Sequence, residues 1–530
     1  MTTGNFTAQG PNTLVSSNGN HLLSSQHQLY ATKDGIMVKQ PRPNRTLDRD
    51  LRSRVSLEQA ASATRRQYLA PSLGFAFILV AGLIASLVLG WNSESYIIIA
   101  ASAVGAYMAL NIGANDVANN VGPAVGANAL SMFGALIIAA VFESAGALLA
   151  GGDVVGTISK GIIDPSAVGD PQVFIWAMFA ALISAAVWVN LATWIGAPVS
   201  TTHSVVGGVV GAGIAAAGMA AVNWPKMGQI AASWVVSPML GGLIAALFLW
   251  FIKSQVSDKP DKIAAARRWV PVLIGIMAGA FSTYLAVKGL KKIVKIDLEM
   301  ALLIGAGAFV LVYLATKPMI FKMSEGKENT KKTVRGLFKI PLIFAAALLS
   351  FAHGANDVAN AIGPLAAIVH TAEAGEVLSK VTIPIWVMVV GAFGISFGLL
   401  LFGPKLIRMV GEQITKLNPL RAYCVALSAA ITVIIASWLG LPVSSTHIAV
   451  GAVFGVGFFR EAHWRFTTNK KAVAEVMIDE ASKTGTPKRK HRKLVRRSHL
   501  MTIVAAWIIT VPVAALISGI LFVILSSIAG

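Results

Sequence analysis

Gly113-Ala-Asn115-Asp116-Val-Ala-Asn119-Asn120-Val-Gly122-Pro123 recurs as Gly354-Ala-Asn356-Asp357-Val-Ala-Asn360-Ala361-Ile-Gly363-Pro364, with nine identities in eleven positions. Each copy closes a long apolar run, so a carboxylate flanked by carboxamides sits twice inside a stretch that reads as hydrocarbon-embedded. An ionisable group at that depth costs roughly 2.5 to 3.5 kcal/mol or more and marks an ion or substrate path by default. Two copies imply one site built from two halves.

The chain around them is 530 residues long, 55% hydrophobic and 13% charged, with a mean hydropathy of +0.68. This is the composition of an all-α, polytopic integral membrane protein. Stretches nearly free of charge and long enough to cross a hydrocarbon core of about 30 Å fall near 71–91, 96–114, 130–152, 172–196, 198–219, 229–252, 269–287, 300–316, 340–356, 381–403, 420–441, 443–459 and 500–526. These are thirteen segments, some of them readable as re-entrant. The net charge of +20 would point to nucleic acid in a soluble chain, but here the basic residues cluster in a tail and in particular loops, which is a topology signal and implies no nucleic-acid partner. The single Cys424 excludes a disulfide framework and a cysteine-based metal site.

Residues 1–66 are rich in Ser, Asn, Gln, Arg and Thr, carry nine Lys or Arg against four Asp or Glu, and read as a disordered basic cytoplasmic tail. Residues 67–252 read as a first membrane repeat with a preceding span, 253–339 as linking loops with two spans, and 340–530 as a second repeat. The second repeat contains a basic cytoplasmic insertion at 460–499 that suits anionic lipid. With the tail inside, counting crossings puts 253–268, 317–339, 404–421 and 460–499 in the cytoplasm and the 153–171 loop outside. The same count places Lys288, Lys291, Lys292 and Lys295 outside, against the positive-inside rule. It also makes the two copies of the acidic string run antiparallel, so the expected architecture is two inverted-topology repeats with broken helices or re-entrant hairpins and about twelve spans.

A second string is duplicated at nearly the same displacement: Gly196-Ala-Pro198-Val-Ser200-Thr201-Thr202-His203 and Gly440-Leu-Pro442-Val-Ser444-Ser445-Thr446-His447. Trp234 to Pro238 and Trp507 to Pro512 form a looser third match, displaced by about 274.

Residues four apart share a helix face, so Asn115 and Asn119 project together beside Asp116, and Asn356 with Asn360 beside Asp357. Gly122-Pro123 and Gly363-Pro364 predict that each helix stops there, freeing carbonyls that hard cations accept. A carboxylate with carboxamide and carbonyl oxygens is a sodium site or a protonatable site. The alternative is a cluster that only satisfies a helix end.

In the second string, Pro at the first helical position followed by Ser and Thr is how a helix N-terminus is written. Its free N–H groups and dipole favour an anion, and Ser200, Thr201, Thr202, Ser444, Ser445 and Thr446 add hydroxyl donors without fixed charge. Simple capping and helix contact is the bland counterpart. His203 and His447 could orient a hydroxyl, contact the anion or carry a proton. His353 has Ile112 as its counterpart and falls outside the symmetric core. Glu143, matched through Phe142-Glu143 to Phe393-Gly394, has a glycine opposite it, which fits either a coupling-ion role or a local interhelical hydrogen bond.

The paired GANDVANxxGP and GxPVS[ST]TH strings resemble the inorganic phosphate transporter (PiT) family over nearly all of 71–530. The resemblance implies an inverted-repeat symporter of about twelve spans that moves inorganic phosphate with sodium or protons. It implies that Asn115, Asp116, Asn119, Asn356, Asp357 and Asn360 line the phosphate and cation sites and that the Ser/Thr clusters contact phosphate from hairpin tips. Coupling-cation candidates are Asp116, Asp357, Asn119, Asn360 and Glu143; no other metal and no cofactor is expected. Relatives that carry sulfate or a neutral metal–phosphate complex keep those substrates as alternatives.

A passive anion channel would want a basic pore lining, and neither string has an intramembrane Lys or Arg beside it. A phosphatase would need a nucleophile, a matched acid and usually a metal, and His203 and His447 stand alone among hydroxyls. The chain reads as a transporter and not an enzyme. Its partners are inorganic phosphate and the lipid bilayer, with a homodimer the assembly such transporters suggest. The expected location is a bacterial cytoplasmic membrane, or an organelle envelope if the tail is a transit segment.

Overall fold

The computed structural model describes residues 29–31, 37–39, 68–90, 95–195, 199–289, 296–377, 383–409, 417–478 and 497–529. The chain divides into Met1–Gln67 and Tyr68–Gly530. In the first unit β1 (Leu29–Ala31) pairs antiparallel with β2 (Met37–Lys39); the rest of the expected basic tail lies outside the described residues.

Among the described residues the regular structure of the second unit is helical, apart from one isolated bridge between Ile163 and Val222. In chain order its helices are α1 (Tyr68–Leu89), α2 (Ser95–Asn115), α3 (Ala118–Gly126), α4 (Met132–Ala150), α5 (Gly152–Lys160), α6 (Pro165–Val168), α7 (Pro171–Ile195), α8 (Thr201–Ala217) and α9 (Trp224–Ile252). They continue as α10 (Lys262–Lys288), α11 (Leu298–Ser324), α12 (Lys331–Leu337), α13 (Lys339–Ala374), α14 (Ile385–Met409), α15 (Pro419–Trp438), α16 (Ser445–Ile478) and α17 (Arg497–Ala529).

Eleven helical stretches among the described residues are long and apolar enough to cross a membrane. The expected thirteen segments reduce because 198–219 and 443–459 are the helices that begin at the hydroxyl strings: α8 is too short, and α16 does not qualify.

The helix ends correct the sequence reading in two places. Gly122-Pro123 and Gly363-Pro364 do not stop their helices: both prolines lie inside helix, in α3 and α13. The interruption comes earlier and only in the first copy, at Asp116-Val117 between α2 and α3, while α13 runs unbroken through Asn356, Asp357 and Asn360. Pro442 likewise precedes its helix instead of opening it. Ser200 and Ser444 are the caps, accepting from the backbone N–H of His203 (3.2 Å) and His447 (3.4 Å); Pro198 lies outside the described residues.

Helix packing repeats with the halves exchanged. Ser144 Oγ on α4 and Ser396 Oγ on α14 are 2.8 Å apart, Ser396 donates to the Ala140 carbonyl (2.9 Å), and Ser144 donates to that of Ala392 (3.5 Å). Residue 140 faces 396 and 144 faces 392, so α4 and α14 cross antiparallel about this serine pair. The motif helices α2 and α13 also run in opposite directions, since Gly105 packs on Ala361 and Leu365 while Asp116 lies by His353 and Asp357.

Small residues make the approaches possible. Gly113 sits against the Ile395 carbonyl as Gly354 sits against that of Glu143. Gly207 and Gly211 meet Val511 and Ala515, as Gly451 and Gly455 meet Pro238 and Gly242. The third sequence match is therefore displaced by 273: Val511 stands that far beyond Pro238, and Ala515 beyond Gly242. The same pairing makes Ile395, not Gly394, the counterpart of Glu143. Lys288 pairs with Asp153, which puts the start of the lysine run on the face of the 153–171 loop, as the crossing count requires.

Candidate functional site

Four elements meet where the two acidic strings and the two hydroxyl strings come together. The α2–α3 break carries Asp116, the first turn of α3 carries Asn119, the middle of α13 carries Asp357 and Asn360, and the first turns of α8 and α16 carry the hydroxyls.

Asp116 accepts from Thr201 (2.8 Å, on Oδ2) and from Thr446 (3.2 Å, on Oδ1), one hydroxyl from each half. Asn119 Nδ2 donates to Thr446 Oγ1 (2.9 Å). Across the axis, Asp357 accepts from Ser445 (3.3 Å), and Asn360 Nδ2 donates to Thr202 (3.1 Å) and Thr201 (3.3 Å). Each half's carboxamide thus holds the other half's helix start.

The remaining predicted residues are placed differently. Asn356 spends its amide on the chain leading to Ser444: it donates to Ser437 Oγ (3.0 Å) and the Leu441 carbonyl (3.1 Å) and accepts from Val443 N–H (3.2 Å). Thr202 donates to the Val443 carbonyl (3.0 Å). Ser200 and Ser444 serve as caps. The rings of His203 and His447 lie 4.9 Å apart between centroids, tilted by 32°, with the Trp234 ring edge-on to His203 at 3.8 Å.

Two residues that sequence reasoning left out belong to the cluster. His353 places Nδ1 2.6 Å from Glu143 Oε2 and Nε2 2.9 Å from Asp357 Oδ2, one turn further along α13. Asn120 Nδ2 donates to Glu143 Oε1 (2.7 Å). Glu143 and His353 are both 0% exposed. The signal was in the sequence: a lone carboxylate at membrane depth needs a partner, and His353 is the basic side chain beside the motif. Matching the halves does not reveal them, because the counterparts of His353 and Asn120, Ile112 and Ala361, are apolar.

Asp116, His353 and Asp357 each offer a ligand atom within 4.8 Å of the others, so a cation could sit among them. Asp357 Oδ1 and Asn360 Oδ1 are buried acceptors with no donor. A bound cation is the simplest partner for two such oxygens. Access is unequal between counterparts. Asn115, Asn119 and Thr446 are partly accessible, whereas Asn356, Asn360 and Thr202 are buried.

Residues 112–518 match the sequence profile described as the phosphate transporter family. The chain belongs to that family. It is 47% identical over 527 residues to a provisionally named phosphate permease of Helicobacter pylori strain J99, covering 90% of this chain and 98% of that one. It is 38% identical over 424 residues to another from Pyrococcus abyssi, covering 80% and 96%. Among solved structures it is similar to one titled the sodium-dependent phosphate transporter, with a TM-score of 0.73 and 36% identity over 82% of this chain and all of that one. As in the rest of the phosphate transporter family, the expected activity is transport and not catalysis.

Proposed function

We propose that the chain is a secondary active symporter that imports inorganic phosphate with a coupling cation by alternating access, its two halves being inverted-topology repeats. The observation that carries this reading is the crosswise bonding of Asp116, Thr201, Thr446, Asn360 and Thr202 between halves, together with the unequal accessibility of their counterparts. Exchanging the accessible set for the buried one turns the same site to the other side of the membrane.

Coupling follows from shared hydroxyl protons. Without a cation, Thr201, Thr446 and Ser445 direct their O–H groups at carboxylates. A cation on Asp116, or on Asp357 with the orphaned Asn360 oxygen, replaces those donors and frees them for a tetrahedral oxyanion. It also cancels the repulsion between that anion and the carboxylates, which is strong in low dielectric. Anion and cation binding then depend on one another. In this reading Asn119 lines the opening, Asn115 lies on its rim, and Asn356 positions the hydroxyl string. His353 and Glu143 hold Asp357 in place. Sodium is the favoured ion, because the similar solved structure carries it in its title and the carboxylate and carboxamide oxygens of Asp116, Asp357 and Asn360 are hard ligands.

Radiolabelled phosphate uptake into proteoliposomes, with sodium, pH and sulfate varied independently, tests this. A sodium gradient should drive accumulation above equilibrium, with sulfate a poor competitor. Uptake that only equilibrates would identify a channel, uptake that follows the pH gradient alone would make the proton the coupling ion, and strong competition by sulfate would change the substrate.

A further inference from the structure

Four consecutive carbonyls in the turn that leads into the second hydroxyl string are each taken by a side chain from a different helix. Thr157 on α5 donates to Gly440 (2.6 Å), Asn356 on α13 to Leu441 (3.1 Å), Trp234 on α9 to Pro442 (3.0 Å) and Thr202 on α8 to Val443 (3.0 Å). Carbonyls outside a helix have no ladder to bond to, so such donors hold the turn in one conformation. Asn356 does most, since it also donates to Ser437 Oγ (3.0 Å) and accepts from the Val443 N–H (3.2 Å).

The first half carries the same groups and bonds them differently. Thr193 and Val199 stand 244 positions before Ser437 and Val443, and Asn115 stands 241 before Asn356. Yet Asn115 Nδ2 is buried without an acceptor. Thr193 donates to the Val189 carbonyl of its own helix (2.8 Å), and Thr446, the counterpart of Thr202, gives its hydroxyl to Asp116 instead of to a turn carbonyl. A buried amide N–H left unpaired raises the energy of this state, and a second state that pairs it accounts for its position.

We propose that Asn356 and Asn115 are alternating latches. In this structure Asn356 holds the 440–443 turn; in the opposite-facing state that turn is released, and Asn115 donates to Thr193 and accepts from the Val199 N–H. Inverted repeats exchange roles in this way when they exchange conformations. The inference deepens the alternating-access reading above and rests on it. Because Asp357 follows Asn356 and Asp116 follows Asn115, a cation that repositions either carboxylate acts directly on the neighbouring latch.

The full chain in oriented proteoliposomes tests this, with thiol labelling at Asn119→Cys and at Asn360→Cys as separate reporters of the two states. The ratio of the first labelling rate to the second follows the equilibrium between them. Adding Asn356→Ala to each parent should lower that ratio about 5- to 30-fold, the worth of one or two net hydrogen bonds, and Ser437→Ala should lower it by less. Asn115→Ala and Thr193→Val should raise it, and Asn115→Ala combined with Asn356→Ala should largely cancel. Melting midpoints provide the control, because a merely structural role lowers the midpoint and leaves the ratio where it was. Shifts of the same sign from both halves, or no shift, while each parent still labels from one side, would overturn the latches. Parents that label from both sides alike would instead remove the alternating-access reading beneath them.

Discussion

Asp116→Asn removes concentrative phosphate uptake, down to the level of empty vesicles, while the protein still folds. The side chain is nearly isosteric; one of the two threonine hydroxyls still donates to the remaining oxygen, and the other can turn to accept from the new amide N–H, so a polar contact to each half is kept. What goes is the negative charge. Without it the cation loses its strongest ligand, and a dianion or monoanion in the cluster loses the counter-charge that makes binding favourable in low dielectric. Replacing one carboxylate of a coupled pair should therefore lower uptake by far more than about tenfold, the factor that corresponds to 1.4 kcal/mol. Melting midpoint and elution profile check the fold, and gradient-driven uptake of labelled phosphate checks the function. A variant that accumulates phosphate at the wild-type rate would remove Asp116 from the coupling.

The second large effect is structural. Gly455→Ala and Gly211→Ala each put a methyl group into a backbone carbonyl of a helix from the other half, Gly242 in one case and Ala515 in the other. Backbone cannot rotate away as a side chain can, so the helices must separate along their whole contact. The cost is roughly 3 kcal/mol or more, enough to leave little folded protein from a marginally stable chain. Gly156→Ala is the control, because nothing lies within 4 Å of the added carbon, and an alanine in a helix interior is favoured by about 0.5 to 1 kcal/mol. Fluorescence-detected size exclusion after a heating series reads all three. Wild-type melting of both interface variants would mean that the helices are not packed as described.

Much of this arrangement was legible in the chain itself. Duplication of the acidic and hydroxyl strings, with order and spacing kept, identified both halves of the cluster and the residues that meet there, Asp116 with Thr201 and Thr446, Asp357 with Ser445, Asn360 with Thr202. Helix ends were less legible. Gly-Pro reads as a stop, yet proline disrupts a helix mainly through its missing donor and its ring, and in a buried bundle neighbouring helices compensate for both. The break sits at Asp116-Val117, where no sequence signal separates the first copy from the second, and only tertiary packing distinguishes them. Symmetry also hid His353 and Asn120. Each has an apolar counterpart, and each serves Glu143, whose own counterpart is Ile395. Charge is the better guide there: a buried acid such as Glu143 requires a polar or basic partner on an adjacent helix.

In the proposed mechanism one site, shared by two halves, faces one side of the membrane at a time. Its most direct test uses the single native cysteine, buried Cys424, as a quiet background. Asn119→Cys and Asn360→Cys are treated with a membrane-impermeant thiol reagent, applied from one side of oriented vesicles and then from the other. Labelling needs no transport, so it reads access even if uptake is lost. The account predicts that Asn119→Cys reacts from one side only, that Asn360→Cys reacts only from the opposite side, and that conditions raising one lower the other. Reaction of both from the same side, or of both from either side at once, would contradict it.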